Sequence, residues 1–140
     1  MVLRPTFEAA IEDLEAVGRA TIPVELATGP ILLLSGGDDQ MLPSARMARM
    51  VEDRMAAHGR AAEVSHVSYE RAGHSLLVSA SATPLDAGGP PGMAFDLGGS
   101  DEANAEARKE AALRITEFFE VQLQRPIAYT AHLSSSPARS

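Results

Sequence analysis

The sequence predicts an α/β fold, a short parallel sheet with flanking helices, and three observations carry that expectation. Ile31-Leu32-Leu33-Leu34 is an unbroken aliphatic run between Gly29-Pro30 and Ser35-Gly36-Gly37; this is the pattern of a strand buried on both faces of a parallel sheet. Apolar residues recur at helical spacing before and after it. A second strand-like segment, Glu63 to Tyr69, follows the second helical one. Alternation of this kind is solved by parallel strands joined through a right-handed crossover.

In chain order, residues 6 to 19 place Phe7, Ala10, Ile11, Leu14 and Val17 at helical spacing, with Thr6 as N-cap and Gly18 as terminator. The first 20 residues are therefore expected to hold one amphipathic helix. Ala20 to Glu25 reads as extended, because Pro23 biases the residue before it away from helix. Pro43-Ser44 opens a second helix that runs to His58-Gly59, and Met47, Met50, Val51 and Met55 form its packing stripe. In the second strand Val64, Val67 and Tyr69 stand among polar neighbours, as expected near a sheet edge. Residues 80–100 are rich in glycine and proline without periodicity and read as a long loop. A third helix begins at Ser100-Asp101-Glu102 with acids at its positive end. Its Ala107, Ala111, Ile115, Phe118, Phe119 and Leu123 face one way until Arg125-Pro126 stops it. Residues 126–140 read as a flexible tail and 21–125 as the folded unit. Two strands do not make a stable parallel sheet, so that unit is expected to be incomplete on its N-terminal side.

Composition bounds the function. At 140 residues and 45% hydrophobic content the chain suits one domain or a piece of one. A net charge of −7 argues against nucleic acid or an anionic membrane as partner, since both demand a basic face. With no cysteine there is no disulfide framework and no thiolate ligand or nucleophile, which fits a reducing, cytoplasmic setting. No apolar run approaches the roughly 20 residues that span a bilayer. Met1-Val2-Leu3-Arg4-Pro5 leads into an acidic helix and not into a signal peptide's apolar core.

The candidate chemistry sits past the Gly-Gly turn. Ligands of open α/β sheets bind beyond the carboxyl ends of strands, which is where Asp38-Asp39 and, one helix and one strand later, Gly73-His74 fall. An acid after one strand and a histidine after the next is the second half of a triad in the order nucleophile, acid, histidine. On the residues alone, the aspartates read equally as turn residues or as a cap for the helix at Ser44. His74 has a buried structural imidazole as its alternative. No nucleophile elbow precedes the acid; Ser35 lies on the acid's own strand and Ser75 adjoins His74, so neither is placed to serve. No third carboxylate or histidine recurs at ligand spacing, so neither metal nor cofactor is expected. His58 reads as a cap on helix-end carbonyls, His66 as an exposed strand position and His132 as part of the tail.

These residues also carry a resemblance. Ile22-Pro23-Val24-Glu25, the run from Gly29 to Ser44, Ser68-Tyr69 leading to Ala72-Gly73-His74, and Gly98-Gly99-Ser100-Asp101-Glu102-Ala103-Asn104-Ala105 occur in order over roughly residues 20 to 123. Together they resemble the C-terminal part of the acyl-CoA thioester hydrolase and bile acid-CoA:amino acid N-acyltransferase family. The resemblance implies the C-terminal portion of an α/β-hydrolase fold, and an acyl-CoA thioester as substrate of the complete enzyme. The acyl group would pass through an acyl-enzyme to water or to an amino acid. It implies Asp39 as triad acid and His74 as triad histidine, with Asp38 as the variable neighbour.

The family's nucleophile, its oxyanion donors and its N-terminal domain would all lie before Met1. A chain with only the acid and the base lacks much of what lowers the barrier. It is thus expected to be inactive alone and to await an upstream segment or chain. The other expectations are a non-catalytic module that buries its open faces in a homo-oligomer, and a gene remnant.

Overall fold

The computed structural model describes residues 1–76 and 95–124. Helices α1 (Arg4–Glu12) and α2 (Leu14–Ala20) precede strand β1 (Ile31–Gly36), then come α3 (Ser44–Ala57), β2 (Val64–Tyr69) and the long α4 (Asp101–Leu123). Among the described residues β1 and β2 form one parallel pair, in register from Ile31 beside Val64 to Gly36 beside Tyr69. Helix α3 makes the crossover, so the α/β alternation holds. No described helix is long and apolar enough to cross a membrane.

The expected single helix over residues 6–19 is two helices. Asp13 leaves the helical region at φ −77°, ψ 92°, and its carboxylate accepts from the amides of Glu15 at 3.1 Å and Ala16 at 3.0 Å. An aspartate that offers its side chain to the next amides starts a new helix and ends the old one. Pro5 opens α1 earlier than Thr6 would, with Leu3 at the cap position, and Gly18 lies inside α2. The segment read as extended is so at Thr21 but curls into a 3-10 turn at Val24–Leu26. That turn is pinned to α3 by Arg54, which forks onto both oxygens of Glu25, and to the segment after α3 by Arg60, which donates to the Glu25 carbonyl. The Arg54 hydrogen bonds hold the Glu25 carboxyl down at about 2.

Strand β1 is not buried on both faces. Ile31 to Leu34 are half-buried, and only Ser35 and Gly36 at its carboxyl end are buried. Its aliphatic run is written for more cover than the described residues supply, because β2 lines one edge only and α3 provides the main helical contact.

The methionine stripe is likewise shifted: Ala48 and Met55 are buried, whereas Met47 and Met50 are 42% and 37% exposed. Ala48 and Met55, with half-buried Val51 between them, form the covered face. Only the first half of α4 packs as expected. Ala103, Ala107 and Ala111 are buried, and Ala107 joins Ala72, Leu76 and Tyr69 in a small core. Phe119 and Leu123, read as part of that face, are 55% and 82% exposed. The loop expected over 80–100 lies outside the described residues as far as residue 94, as do Arg125-Pro126, the tail and His132.

Candidate active site

Two glycines bring the strand ends together. A Cβ on Gly36 would lie 2.4 Å from the Gly73 carbonyl oxygen, and one on Gly37 would lie 2.6 Å from that of Glu70. The backbones leaving β1 and β2 therefore pass in direct contact, which any larger residue would prevent. The Gly37 amide donates to the Tyr69 carbonyl at 2.9 Å and the Asp38 amide to that of Ala72 at 3.0 Å. This ladder beyond the strands sets Asp38-Asp39 beside Ala72-Gly73-His74.

Asp39 is 2% exposed and fully engaged. Its Oδ1 accepts from the amides of Met41 and Leu42, each at 2.9 Å, and its Oδ2 lies 3.0 Å from Nδ1 of His74. The carboxylate is thus a turn residue and the partner of the histidine at once, one oxygen for each role. It is no helix cap, since Pro43 holds that position of α3.

Around it the backbone is fixed from two sides. The first amides of the N-terminal segment, Leu3 and Arg4, donate to the Gln40 carbonyl at 3.1 and 3.0 Å, and Arg4 Nη1 reaches the Gly37 and Asp39 carbonyls at 3.4 Å. The His74 amide donates to the Leu97 carbonyl at 2.7 Å, and its side chain keeps 35% exposure. A carboxylate that holds Nδ1–H fixes the ring in the tautomer whose Nε2 carries a lone pair. The pair can therefore act as an oriented base.

Asp38 does something else. Its Oδ2 accepts from the Gly99 amide at 2.9 Å and its Oδ1 from Gln40 Nε2 at 2.7 Å. The Gly99 N–H first, and Gln40 next, hold its carboxyl below the usual aspartate range. It ties the β1 exit to the segment that leads into α4.

His66 is the clearest correction to the sequence reading. Its side chain is 9% exposed and lies between Ser35 Oγ, 2.8 Å from Nε2, and Glu52 Oε2, 3.0 Å from Nδ1. Serine, imidazole and carboxylate stand here in the order of a nucleophilic triad. Ser35 is 2% exposed within a strand, however, so no substrate carbonyl could reach it. The relay is a polar tie between the sheet and α3, covered at Ser35 and His66 and open to solvent at Glu52. Parallel register could have revealed it, because it places Leu33 beside His66 and so brings Ser35 within reach. His58 meets its expectation, with Nδ1 donating to the Arg54 carbonyl at 2.8 Å.

Residues 1–125 match the family profile described as BAAT / acyl-CoA thioester hydrolase C terminal. The chain is 34% identical over 105 residues to acyl-coenzyme A amino acid N-acyltransferase 1 of Mus musculus. It is 33% identical over 103 residues to acyl-coenzyme A amino acid N-acyltransferase 2 of the same organism. Each alignment covers 73% of this chain and 24% of the relative, so the chain spans about a quarter of the length of the curated relatives it matches.

Proposed function

Since the chain belongs to the BAAT / acyl-CoA thioester hydrolase C-terminal family, we propose that it is the acid-and-histidine part of an acyl-transfer triad acting on acyl-CoA thioesters. On this reading its two-stranded sheet is the C-terminal portion of an α/β-hydrolase fold. The observation that carries the proposal is the 3.0 Å contact between Asp39 Oδ2 and His74 Nδ1, made while two backbone amides hold the other carboxylate oxygen.

In that role Asp39 keeps the imidazole tautomer and stabilises the imidazolium once formed. His74 Nε2 takes the proton of a serine or cysteine on another segment as that side chain's oxygen or sulfur bonds to the thioester carbonyl carbon. When the C–S bond breaks, the imidazolium returns the proton to the departing CoA sulfur. The same base then activates water, or the amine of an amino acid, to release the acyl group.

The 140 residues contain no cysteine and no G-x-S-x-G elbow. The proposal therefore includes inactivity of the chain by itself. Purified chain should release no thiol from a long-chain acyl-CoA. When the reading frame immediately upstream is expressed in one polypeptide with it, release should appear and should fall at least a thousandfold in His74→Ala, by analogy with loss of a triad base. Release by the isolated chain that vanishes in His74→Ala, or release by the extended protein that survives it, would sink the proposal.

One observation favours a second, non-catalytic reading. Leu14, Ile22, Leu26 and Leu123 are each more than 70% exposed, and apolar side chains of this size are buried in assemblies where they form one contiguous patch. A mass that grows with concentration, with no thiol release from the extended protein, would favour an oligomerising module.

A further inference from the structure

We propose that Asn104, in the first turn of α4, is the positioning residue that aims the His74 imidazole. The inference rests on the reading of Asp39 and His74 as a working pair. Asn104 Oδ1 accepts from the Gly73 amide at 2.7 Å, and Asn104 Nδ2 donates to the Gly98 carbonyl at 3.2 Å. One amide side chain thus closes two strands of backbone onto each other, with the residue before His74 on one side and the approach to α4 on the other.

The packing around it leaves little slack. A Cβ on Gly73 would sit 2.1 Å from the Gly98 carbonyl oxygen, and one on Gly99 would sit 2.4 Å from Asn104 Oδ1 and 2.5 Å from the Gly73 nitrogen. Ala72 and Gly99 form an isolated antiparallel bridge in the same place. With the Gly73 amide held by Asn104 and the His74 amide by the Leu97 carbonyl at 2.7 Å, consecutive peptide groups at the histidine are both anchored. They place the N and Cα of His74, from which the ring reaches Asp39 Oδ2 at 3.0 Å. Displacement of the order of 1 Å at a reacting group is enough to lose most of a catalytic geometry.

The carboxamide suits this task because it offers an acceptor and a donor at one end. Aspartate keeps the acceptor for Gly73 and loses the donor for Gly98. Alanine loses both. Asn104 itself is fixed as its own amide donates to the Ser100 carbonyl at 2.8 Å, within a helix start that Ser100 caps. The rigid start of α4 is thereby the reference against which the histidine is set.

The test reads the ring and not only the fold. In the full chain labelled with 15N-histidine, the unmodified protein should give a His74 Nδ1–H proton signal that disappears in Asp39→Asn, and nitrogen shifts of one tautomer. Asn104→Ala should lose that signal and show averaged tautomers at a temperature where circular dichroism finds the chain folded. Asn104→Asp, which keeps the Gly73 acceptor, should restore it. An unchanged Nδ1–H signal and tautomer in folded Asn104→Ala would reduce Asn104 to a structural tie and overturn the inference. Should the alanine variant not fold, Asn104→Asp decides alone, and a folded Asn104→Asp without the signal overturns it as well. If instead the unmodified chain shows no signal that depends on Asp39, the underlying pair fails, a result distinct from either.

Discussion

Gly98→Ala, set against Gly59→Ala, separates close packing at the site from backbone strain. Both glycines hold nearly the same left-handed φ, +73° at Gly98 and +71° at Gly59. A Cβ in that region costs ~1–2 kcal/mol from its approach to the following carbonyl. At Gly59 the new methyl meets nothing within 4 Å, whereas at Gly98 it would lie 1.8 Å from the Asp38 carbonyl oxygen. That oxygen can retreat only if the turn carrying Asp38 and Asp39 moves, and overpacking of such a site adds ~1–3 kcal/mol. Gly59→Ala is thus expected to lose ~1–2 kcal/mol and Gly98→Ala ~2–5 kcal/mol. Urea titrations of the full chain, followed by circular dichroism and compared at equal slope, read the difference. Equal losses in the two variants would refute the claim that Gly98 is there for contact as well as for conformation.

Asp39→Asn keeps an oxygen for the Met41 and Leu42 amides and turns an NH₂ toward His74, so the imidazole should switch to the Nε2–H tautomer with little loss of stability; 15N shifts that stay at the original tautomer would contradict this. The Glu25 carboxyl lies at about 2 against an ordinary 4.5. A folded value below the unfolded one gives stability that is whole above pH 4.5 and lost as pH falls toward 2. Arg54→Met should flatten the fall of the urea midpoint across that window, and an unaltered slope would remove the Arg54 contact as its cause. Ser35→Ala deprives His66 Nε2 of its partner and should cost ~1–3 kcal/mol. It should leave the His74 signal intact; a disturbed His74 would mean that the two histidines are coupled.

What was legible in the sequence followed from local rules. The aliphatic run, the Gly-Gly exit and the position of Gly73-His74 identify strand ends that must be close, and Asp39 and His74 do meet. The helix break at Asp13 was also legible, since aspartate is a favoured N-cap residue and Glu15 follows in the first turn, a signal that the longer apolar period concealed. Other features were hidden because they depend on register or on contacts between distant segments. Nothing local distinguishes His66 from a solvated strand histidine until Leu33 stands beside it. An asparagine one turn into α4 is only a mild offence against helix propensity, and its partners lie 31 residues away at Gly73 and 6 away at Gly98. The exposure of Met47, Phe119 and Leu123 was unreadable for another reason: periodicity reports which residues could share a face, not how much protein covers it.

That distinction bears on how the site holds its shape. The described core is small, with Met55, Leu76 and a series of alanines as its buried apolar residues, and much of the aliphatic surface of β1 is only half-buried. Yet Asp39 is 2% exposed and is reached by hydrogen bonds or backbone contacts from the N-terminal segment, the β1 exit and the β2 exit. Glycine-to-backbone contacts and amide hydrogen bonds, short in range and directional, therefore fix the acid and the histidine where apolar packing is sparse. Apolar burial scales with area and has no preferred direction. Further protein laid over Leu14, Ile22 and the edge of β1 that no described strand lines would accordingly add to stability through area, while the angle between Asp39 and His74 would stay with the glycines and amides that already set it.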